Sequence, residues 1–134
     1  MIFVDTSAIF ALLHAEDENH RLAADTFGNL VRVEQLVTHN YVVLETAALA
    51  QRRLGVEAVR ALHDDLLPIF EVDWVGESVH SAAYAALIVS ASRTVSLVDY
   101  VSFETMRRRG INDAFAFDPD FVASGFSILP DERS

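Results

Sequence analysis

Several residue types are absent or scarce in this chain of 134 residues, and each absence excludes a class of protein or of chemistry. There is no cysteine, which excludes disulfide bonds, thiolate zinc sites and thiol nucleophiles. The longest apolar stretch, Ala82 to Val89, is far shorter than the roughly 18 residues that a membrane-spanning helix needs. The N-terminus lacks a basic region, and Asp5 interrupts its apolar run, so it does not resemble a signal peptide. We therefore expect a cytoplasmic protein without a membrane segment.

Lysine is also absent, and acidic residues are in excess. Twenty Asp and Glu residues stand against 10 basic residues, all of them Arg, which gives a formal net charge of -10. Such an excess normally disfavours a nucleic-acid partner. A bound divalent cation reverses the local field, however. The charge therefore argues against nucleic-acid binding unless several of the acids converge on a metal ion.

The chain reads as one domain, residues 1–134, because it contains no linker, low-complexity segment or internal repeat. Short apolar strands alternate with helical patterns along its length. The predicted strands are 1–4, 36–38, 69–72, 114–117 and 126–129. The predicted helices are 6–14, one capped by Asp17, 41–53 capped by Asn40, 56–67, 76–92 and 96–109. This alternation predicts an α/β fold with a parallel sheet and helices on both of its faces.

Two acids directly follow predicted strands. Asp5 follows the first strand and Asp118 follows the fourth, so both point to the carboxyl edge of the sheet, where open parallel sheets bind their ligands. Each is as readily explained as a helix N-cap, since Thr6 and Ser7 follow Asp5 and Pro119 follows Asp118. The sequence around each acid leaves both interpretations open.

Two further acids lie on predicted helices. Asp99 closes the stretch Ser96–Leu97–Val98–Asp99, which fits a capping box. Tyr41, Ala48 and Leu49 lie about one helical turn from Glu45 and Leu44 precedes it, so we expect Glu45 beside an apolar stripe. An ionised carboxylate that faces a core is costly unless it is paired or binds a metal, and nothing nearby in sequence supplies a cation. Glu45 is therefore predicted to belong to a functional site.

Taken together, the four acids indicate a metal site. Carboxylates that converge repel one another unless a cation joins them, and Mg²⁺ prefers such oxygen ligands. A bound Mg²⁺ or Mn²⁺ activates water and stabilises the charge that develops on a phosphodiester. The predicted ligands are Asp5, Glu45, Asp99 and Asp118.

Four segments resemble the signatures of the PIN domain family, with the nearest likeness to VapC-type toxins of VapBC toxin–antitoxin pairs. They are Ile2–Ser7, the helix that carries Glu45, Ser96–Asp99 and Ala116–Phe121. The segment 106–111 also resembles the stretch that links the third and fourth acids in this family. The resemblance runs in order from residue 2 to about residue 129.

The resemblance implies a three-layer α/β/α fold around a mostly parallel sheet of about five strands. It also implies an endoribonuclease that depends on Mg²⁺ or Mn²⁺, forms a homodimer and is blocked by an antitoxin. By position, Asp5 and Asp99 would be the main metal ligands, while Glu45 and Asp118 would act directly or through water.

The resemblance further suggests substrate contacts. Thr6 and Ser7 would hold the scissile phosphate or a ligand water, whereas Asp120 is expected to face solvent outside the site. Arg107, Arg108 and Arg109 form the strongest basic cluster, which fits either favourable charge at a helix C-terminus or contact with RNA phosphates. Trp74 is expected in the core or at a dimer contact. The apolar helix 82–89 is expected in the core, with an oligomer interface as the alternative.

Other metal-binding α/β proteins fit less well. A response-regulator receiver needs paired acids after the first strand and a lysine later in the chain, and a phosphatase of the haloacid dehalogenase kind needs Asp-x-Asp where this chain has Asp5-Thr6-Ser7. The serious alternative is a catalytically inactive PIN-like module that binds a protein partner. The presence of all four acids argues against it, and metal-dependent RNA cleavage distinguishes the two.

Overall fold

The central sheet has five strands, all parallel, in the order β3-β2-β1-β4-β5. We describe residues 1–131 from a computed structural model; the last three residues of the predicted domain, 132–134, lie outside the described residues. The strands are β1 Ile2–Val4, β2 Leu36–His39, β3 Glu71–Asp73, β4 Asp113–Phe115 and β5 Ser127–Leu129. The predicted parallel sheet of about five strands is confirmed.

Helices flank this sheet, which confirms the predicted α/β/α layers. They are α1 Thr6–Leu13, α2 His20–Val33, α3 Asn40–Leu54, α4 Val56–Ala61, α5 Glu77–Ser90, α6 Leu97–Arg109 and α7 Asp120–Ala123. None of the helices within residues 1–131 combines the length and the apolar composition needed to cross a bilayer.

An aromatic cluster fixes α6 and α7 against the sheet. The ring of Phe121 on α7 lies 6.1 Å from that of Phe3 on β1 and 5.1 Å from that of Phe103 on α6, measured between centroids. All three side chains are essentially inaccessible to solvent. Full burial of such a side chain contributes roughly 2 kcal/mol. The helices that carry Asp99 and Asp120 are therefore held rigidly beside β1.

Two predicted helix caps are wrong. The N-cap of α3 is His39, whose Nδ1 accepts a hydrogen bond from the Val42 N–H at 3.2 Å. Asn40 is the first helical residue, and its Oδ1 accepts instead from the Val75 N–H at 2.7 Å. Helix α2 begins only at His20, so Asp17 does not cap it but accepts from the backbone of the preceding turn.

The helix predicted over 56–67 is divided into three parts. Helix α4 gives way to a π-helical turn at Leu62–Leu66 and then to a 3₁₀ turn at Leu67–Ile69. Pro68 lies within that 3₁₀ turn, where its missing N–H costs nothing because the first turn of a helix has no backbone partner for it. Strand β3 consequently begins at Glu71, two residues later than predicted.

Candidate metal centre

Asp5 lies at the carboxyl end of β1, next to β4. Its backbone N–H donates to the Phe115 carbonyl at 3.0 Å, which continues the pairing of the two strands. Its Oδ2 accepts from the Ser7 N–H at 3.1 Å, so the carboxylate is the N-cap of α1. The residue is 4% exposed. Asp5 is therefore both a cap and a buried carboxylate at the predicted edge of the sheet.

The Ser7 hydroxyl links this carboxylate to the segment that carries Asp118. It donates to Asp5 Oδ2 at 2.7 Å and accepts from the Phe117 N–H at 2.9 Å. Its one proton and one of its lone pairs are thus already used by the protein. The neighbouring Thr6 differs, because its Oγ1 is buried and has no hydrogen-bond partner among residues 1–131. The hydrogen-bonding capacity of the Thr6 hydroxyl is therefore not used by the described residues.

Asp99 forms the predicted capping box at the start of α6. Its Oδ2 accepts from the Ser96 N–H at 3.0 Å, and its own N–H donates to Ser96 Oγ at 3.2 Å. Asp99 nevertheless also has a carboxylate oxygen within 4.8 Å of oxygens of Asp118 and Asp120. Asp99 therefore caps α6 and also belongs to the cluster, although the sequence suggested these as alternative roles.

The structure brings Asp120, which was expected to face solvent outside the site, close to Asp99 and Asp118. Asp118 Oδ1 accepts from the Asp120 N–H at 2.9 Å, and this side-chain turn folds the segment so that both carboxylates approach Asp99. Asp120 is half-buried, like the other two members of this cluster. The spacing Asp-Pro-Asp was a visible signal, since an Asp that bonds the backbone two residues later is a common turn.

Burial and repulsion both act on these acids. Burial raises the pKa of Asp5 to about 7, an effect that the Asp99 and Asp118 charges increase and the Ser7 hydrogen bonds oppose. Burial likewise raises the pKa of Asp99, with repulsion from Asp118 and Glu45 adding to it and the Ser96 hydrogen bonds opposing it. Partial burial and then Asp118 raise the pKa of Asp120. The cluster thus holds more negative charge than its surroundings stabilise, which a cation would relieve.

Glu45 is solvent-exposed, and the expectation that it faces an apolar core is wrong. The buried residues of α3 are Val42, Thr46 and Ala50, whereas Leu44 is 71% exposed. The apolar neighbours that suggested a core therefore belong largely to the outer side of the helix. The pKa of Asp99 is raised mainly by burial, but the Glu45 charge adds to the rise, which places Glu45 near the cluster.

The three arginines at the end of α6 are not brought together with the acids. Helix geometry puts Arg107 roughly 12 Å along the axis from Asp99, and each guanidinium has a partner of its own. The partners are the Phe126 ring for Arg107, Glu104 for Arg108, and Glu71 and Asp73 for Arg109. Their contact with RNA stays a prediction.

Two apolar features expected in the core lie at the surface. Trp74 is 75% exposed, and along α5 the exposed fractions are 56% for Tyr84, 59% for Ile88 and 88% for Val89. Ala83 is the buried residue of this helix. The core interpretation is therefore wrong for these side chains, which leaves the alternative of contact with another chain.

Comparisons with known proteins agree with this geometry. The sequence model of the PIN domain matches residues 2–126. The 23S rRNA-specific endonuclease VapC20 of Mycobacterium tuberculosis is 39% identical over 127 residues, which cover 94% of this chain and 95% of that protein. The crystal structure of M. tuberculosis VapC20, described as a sarcin-ricin loop cleaving toxin, superposes with a TM-score of 0.86 at 36% identity and covers 94% of this chain and 96% of that chain. FitAcB from Neisseria gonorrhoeae, at 16% identity, a TM-score of 0.69 and 96% coverage of both chains, shares the fold.

Proposed function

This chain belongs to the PIN domain family, and from that premise we propose that it cleaves 23S rRNA at the sarcin-ricin loop as the toxin of a toxin–antitoxin pair. The predicted family and the predicted class of activity, an endoribonuclease of the VapC type, are confirmed by the relatives. The observation that carries the proposal is the cluster of Asp99, Asp118 and Asp120 beside buried Asp5. The choice of 23S rRNA rests on the relative's substrate and on near-complete coverage of both chains.

The donor set fits a divalent cation. Within residues 1–131, one carboxylate oxygen from each of Asp99, Asp118 and Asp120 lies within 4.8 Å of the others. Hard cations such as Mg²⁺ and Mn²⁺ take such ligands, and when bound they activate water and stabilise negative charge on a phosphodiester. We propose that Asp99, Asp118 and Asp5 hold the ion, that Asp120 is a further ligand, and that Glu45 acts from the exposed side through water.

The neighbouring hydroxyls take separate roles in this proposal. Ser7 orients Asp5 and ties it to the Asp118 segment, because its hydroxyl already bonds both. Thr6 is the better candidate to hold the scissile phosphate or a ligand water, because its buried hydroxyl has no partner among the described residues. An unpaired buried hydroxyl is costly, and a substrate oxygen would remove that cost.

We also propose two protein partners. An antitoxin with an arginine directed at the acids would neutralise them as a cation does, and the net charge of -10 favours a basic peptide. Such a peptide would also cover apolar surface near Leu12 and Leu13, which line a shallow pocket, and Leu22, which is 48% exposed. The exposed apolar side chains of α5 favour a homodimer through that helix.

The test uses intact ribosomes. Purified protein in Mg²⁺ or Mn²⁺ should produce one cut in 23S rRNA, located by primer extension through the sarcin-ricin loop. EDTA should abolish the cut, and Ca²⁺ should support it poorly because its coordination is looser. Cleavage that persists in EDTA would rule out the metal mechanism. A cut elsewhere in the RNA would rule out the proposed substrate but not the nuclease activity. No cut at all, in a protein that binds its antitoxin tightly, would favour the inactive protein-binding module.

Arg107 and Arg109 provide a matched pair for RNA contact. Arg107 is exposed and makes no ion pair within residues 1–131, so Arg107→Ala should weaken RNA binding and reduce the slope of log affinity against log salt by about one. Arg109 pairs with Glu71 and Asp73, so Arg109→Ala should leave the salt slope unchanged and cost up to about 1 kcal/mol of stability. Filter binding over a salt series measures both. An unchanged slope for Arg107→Ala would leave that side chain as helix-end charge.

A further inference from the structure

His39 is a buried histidine that the proposed chemistry does not use. It ends β2, it caps α3, and it is wholly inaccessible to solvent. Its ring lies 5.5 Å from that of Phe3 and 6.0 Å from that of Tyr41, between centroids. A buried imidazole is expensive unless both ring nitrogens are bonded. A smaller residue, such as Ser or Asp, would cap α3 without the free-energy cost of burying an imidazole. Capping alone therefore does not explain a histidine at this position.

The hydrogen bonds around the ring fix its tautomer. The Val42 N–H donates to Nδ1 at 3.2 Å, so Nδ1 carries no proton and Nε2 carries the proton. Nε2 lies 2.8 Å from Ser102 Oγ and donates to it, while the Ser102 hydroxyl donates to the Val98 carbonyl at 3.0 Å. Each donor in this series of three hydrogen bonds has one acceptor. Burial also lowers the pKa of His39 to about 3, so the ring stays neutral at physiological pH.

The two ends of this series of hydrogen bonds lie beside two of the proposed site residues. Val42 precedes Glu45 by three residues on α3, and Val98 and Ser102 flank Asp99 on α6. Glu45 and Asp99 carry like charges and lie close enough to repel each other, since Glu45 adds to the rise in the pKa of Asp99 that burial mainly causes. Without a tie between α3 and α6, this repulsion would favour their separation.

We propose that His39 is a positioning residue, whose hydrogen bond to Ser102 sets the distance between the helices that carry Glu45 and Asp99 and so shapes the site for its cation. The inference rests on the proposed function, in which these acids serve a divalent ion. Groups that orient metal ligands from behind typically change metal affinity by 10- to 100-fold when they are removed.

Two single variants break the bridge from opposite ends. His39→Asn keeps a good helix cap but is too short to reach Ser102, and Ser102→Ala keeps the imidazole and its cap. In both, the Mg²⁺ concentration that half-saturates the rise in melting temperature should increase about tenfold. The double variant should resemble the single variants, because one interaction is lost in all three. Thr46→Val is the control: this fully buried threonine adjoins Glu45, and its hydroxyl has no partner within residues 1–131, so Mg²⁺ affinity should not change.

The results separate this inference from the function on which it rests. The Nε2 proton of His39 should give a slowly exchanging NMR signal that Ser102→Ala abolishes, and this measurement needs no metal. Unchanged Mg²⁺ affinity in both single variants would reduce His39 to a cap, and additive losses in the double variant would show that no bridge couples the two residues. A wild-type protein that does not respond to Mg²⁺ or Mn²⁺ would contradict the proposed function, and the positioning role would fall with it.

Discussion

Replacing Asp99 with Asn should lower the rate of RNA cleavage at least a hundredfold, on the order of the loss when a catalytic electrostatic group is removed. The same change should leave the metal-free protein as stable as the wild type or more stable. Asn still accepts the hydrogen bond from the Ser96 N–H that Asp99 accepts at 3.0 Å, so the cap survives. The substitution also removes one charge from a cluster in which Asp118 and Glu45 repel it. Cleavage assays and thermal unfolding in EDTA measure the two effects.

Added Mg²⁺ should distinguish a metal ligand from a helix cap. It should raise the melting temperature of the wild type by mass action and that of Asp99→Asn much less. Asp17→Asn is the matched control, because that carboxylate also accepts a backbone hydrogen bond in a turn but lies outside the cluster. It should retain full activity and the full response to Mg²⁺. An active Asp99→Asn enzyme with an unaltered response would leave Asp99 as a cap alone.

The parts of the site that could be predicted depend on local patterns. Asp5 directly follows a short apolar strand, and a residue in that place must lie at the carboxyl edge of a parallel sheet. The capping box at Asp99 needs only four consecutive residues. Asp118 likewise follows a short apolar run. Because these signals are local, the sequence alone predicts the edge of the sheet and the acids that lie at it.

The parts that failed depend on packing between distant segments. Which side of α3 is buried is decided by its contact with the sheet and α1, and a helix with alanine and leucine on several faces does not reveal this from its sequence. The sequence therefore predicts that Glu45 faces a core, whereas the structure places it on the exposed side of α3. The hydrogen bond from His39 to Ser102 joins residues 63 positions apart, and no local pattern indicates it. Asp120 was missed because its position depends on a side-chain turn at Asp118.

Asp5 and His39 should make the stability of the metal-free protein depend on pH in opposite directions. The pKa of Asp5 is raised from 3.8 to about 7, so between these values the folded protein keeps a proton that the unfolded chain releases. Asp5 therefore makes the protein more stable as the pH falls through this window. The pKa of His39 is lowered from 6.5 to about 3, so below pH 6.5 the unfolded chain binds a proton that the folded protein excludes. His39 therefore makes the protein less stable as the pH falls. From pH 7.5 to pH 5, each effect amounts to about 2 kcal/mol.

The two effects should nearly cancel in the wild type and separate in two variants. Urea unfolding in EDTA at pH 7.5 and pH 5 measures how the free energy of unfolding changes with pH in the wild type and in each variant. Asp5→Asn lacks the Asp5 contribution, so it should lose about 2 kcal/mol relative to the wild type over this range, and His39→Asn, which lacks the opposing contribution, should gain a similar amount. Asn retains the N-cap of α1 in the first variant and of α3 in the second, so loss of a cap does not confuse the comparison. The raised pKa values of Asp99 and Asp120 stabilise all of these proteins in acid. The test is therefore the difference between each variant and the wild type in how the free energy of unfolding changes with pH. If the free energy of unfolding of Asp5→Asn changed with pH as that of the wild type does, Asp5 would be ionised in the metal-free fold at pH 5. Burial would then not be the dominant influence on its pKa.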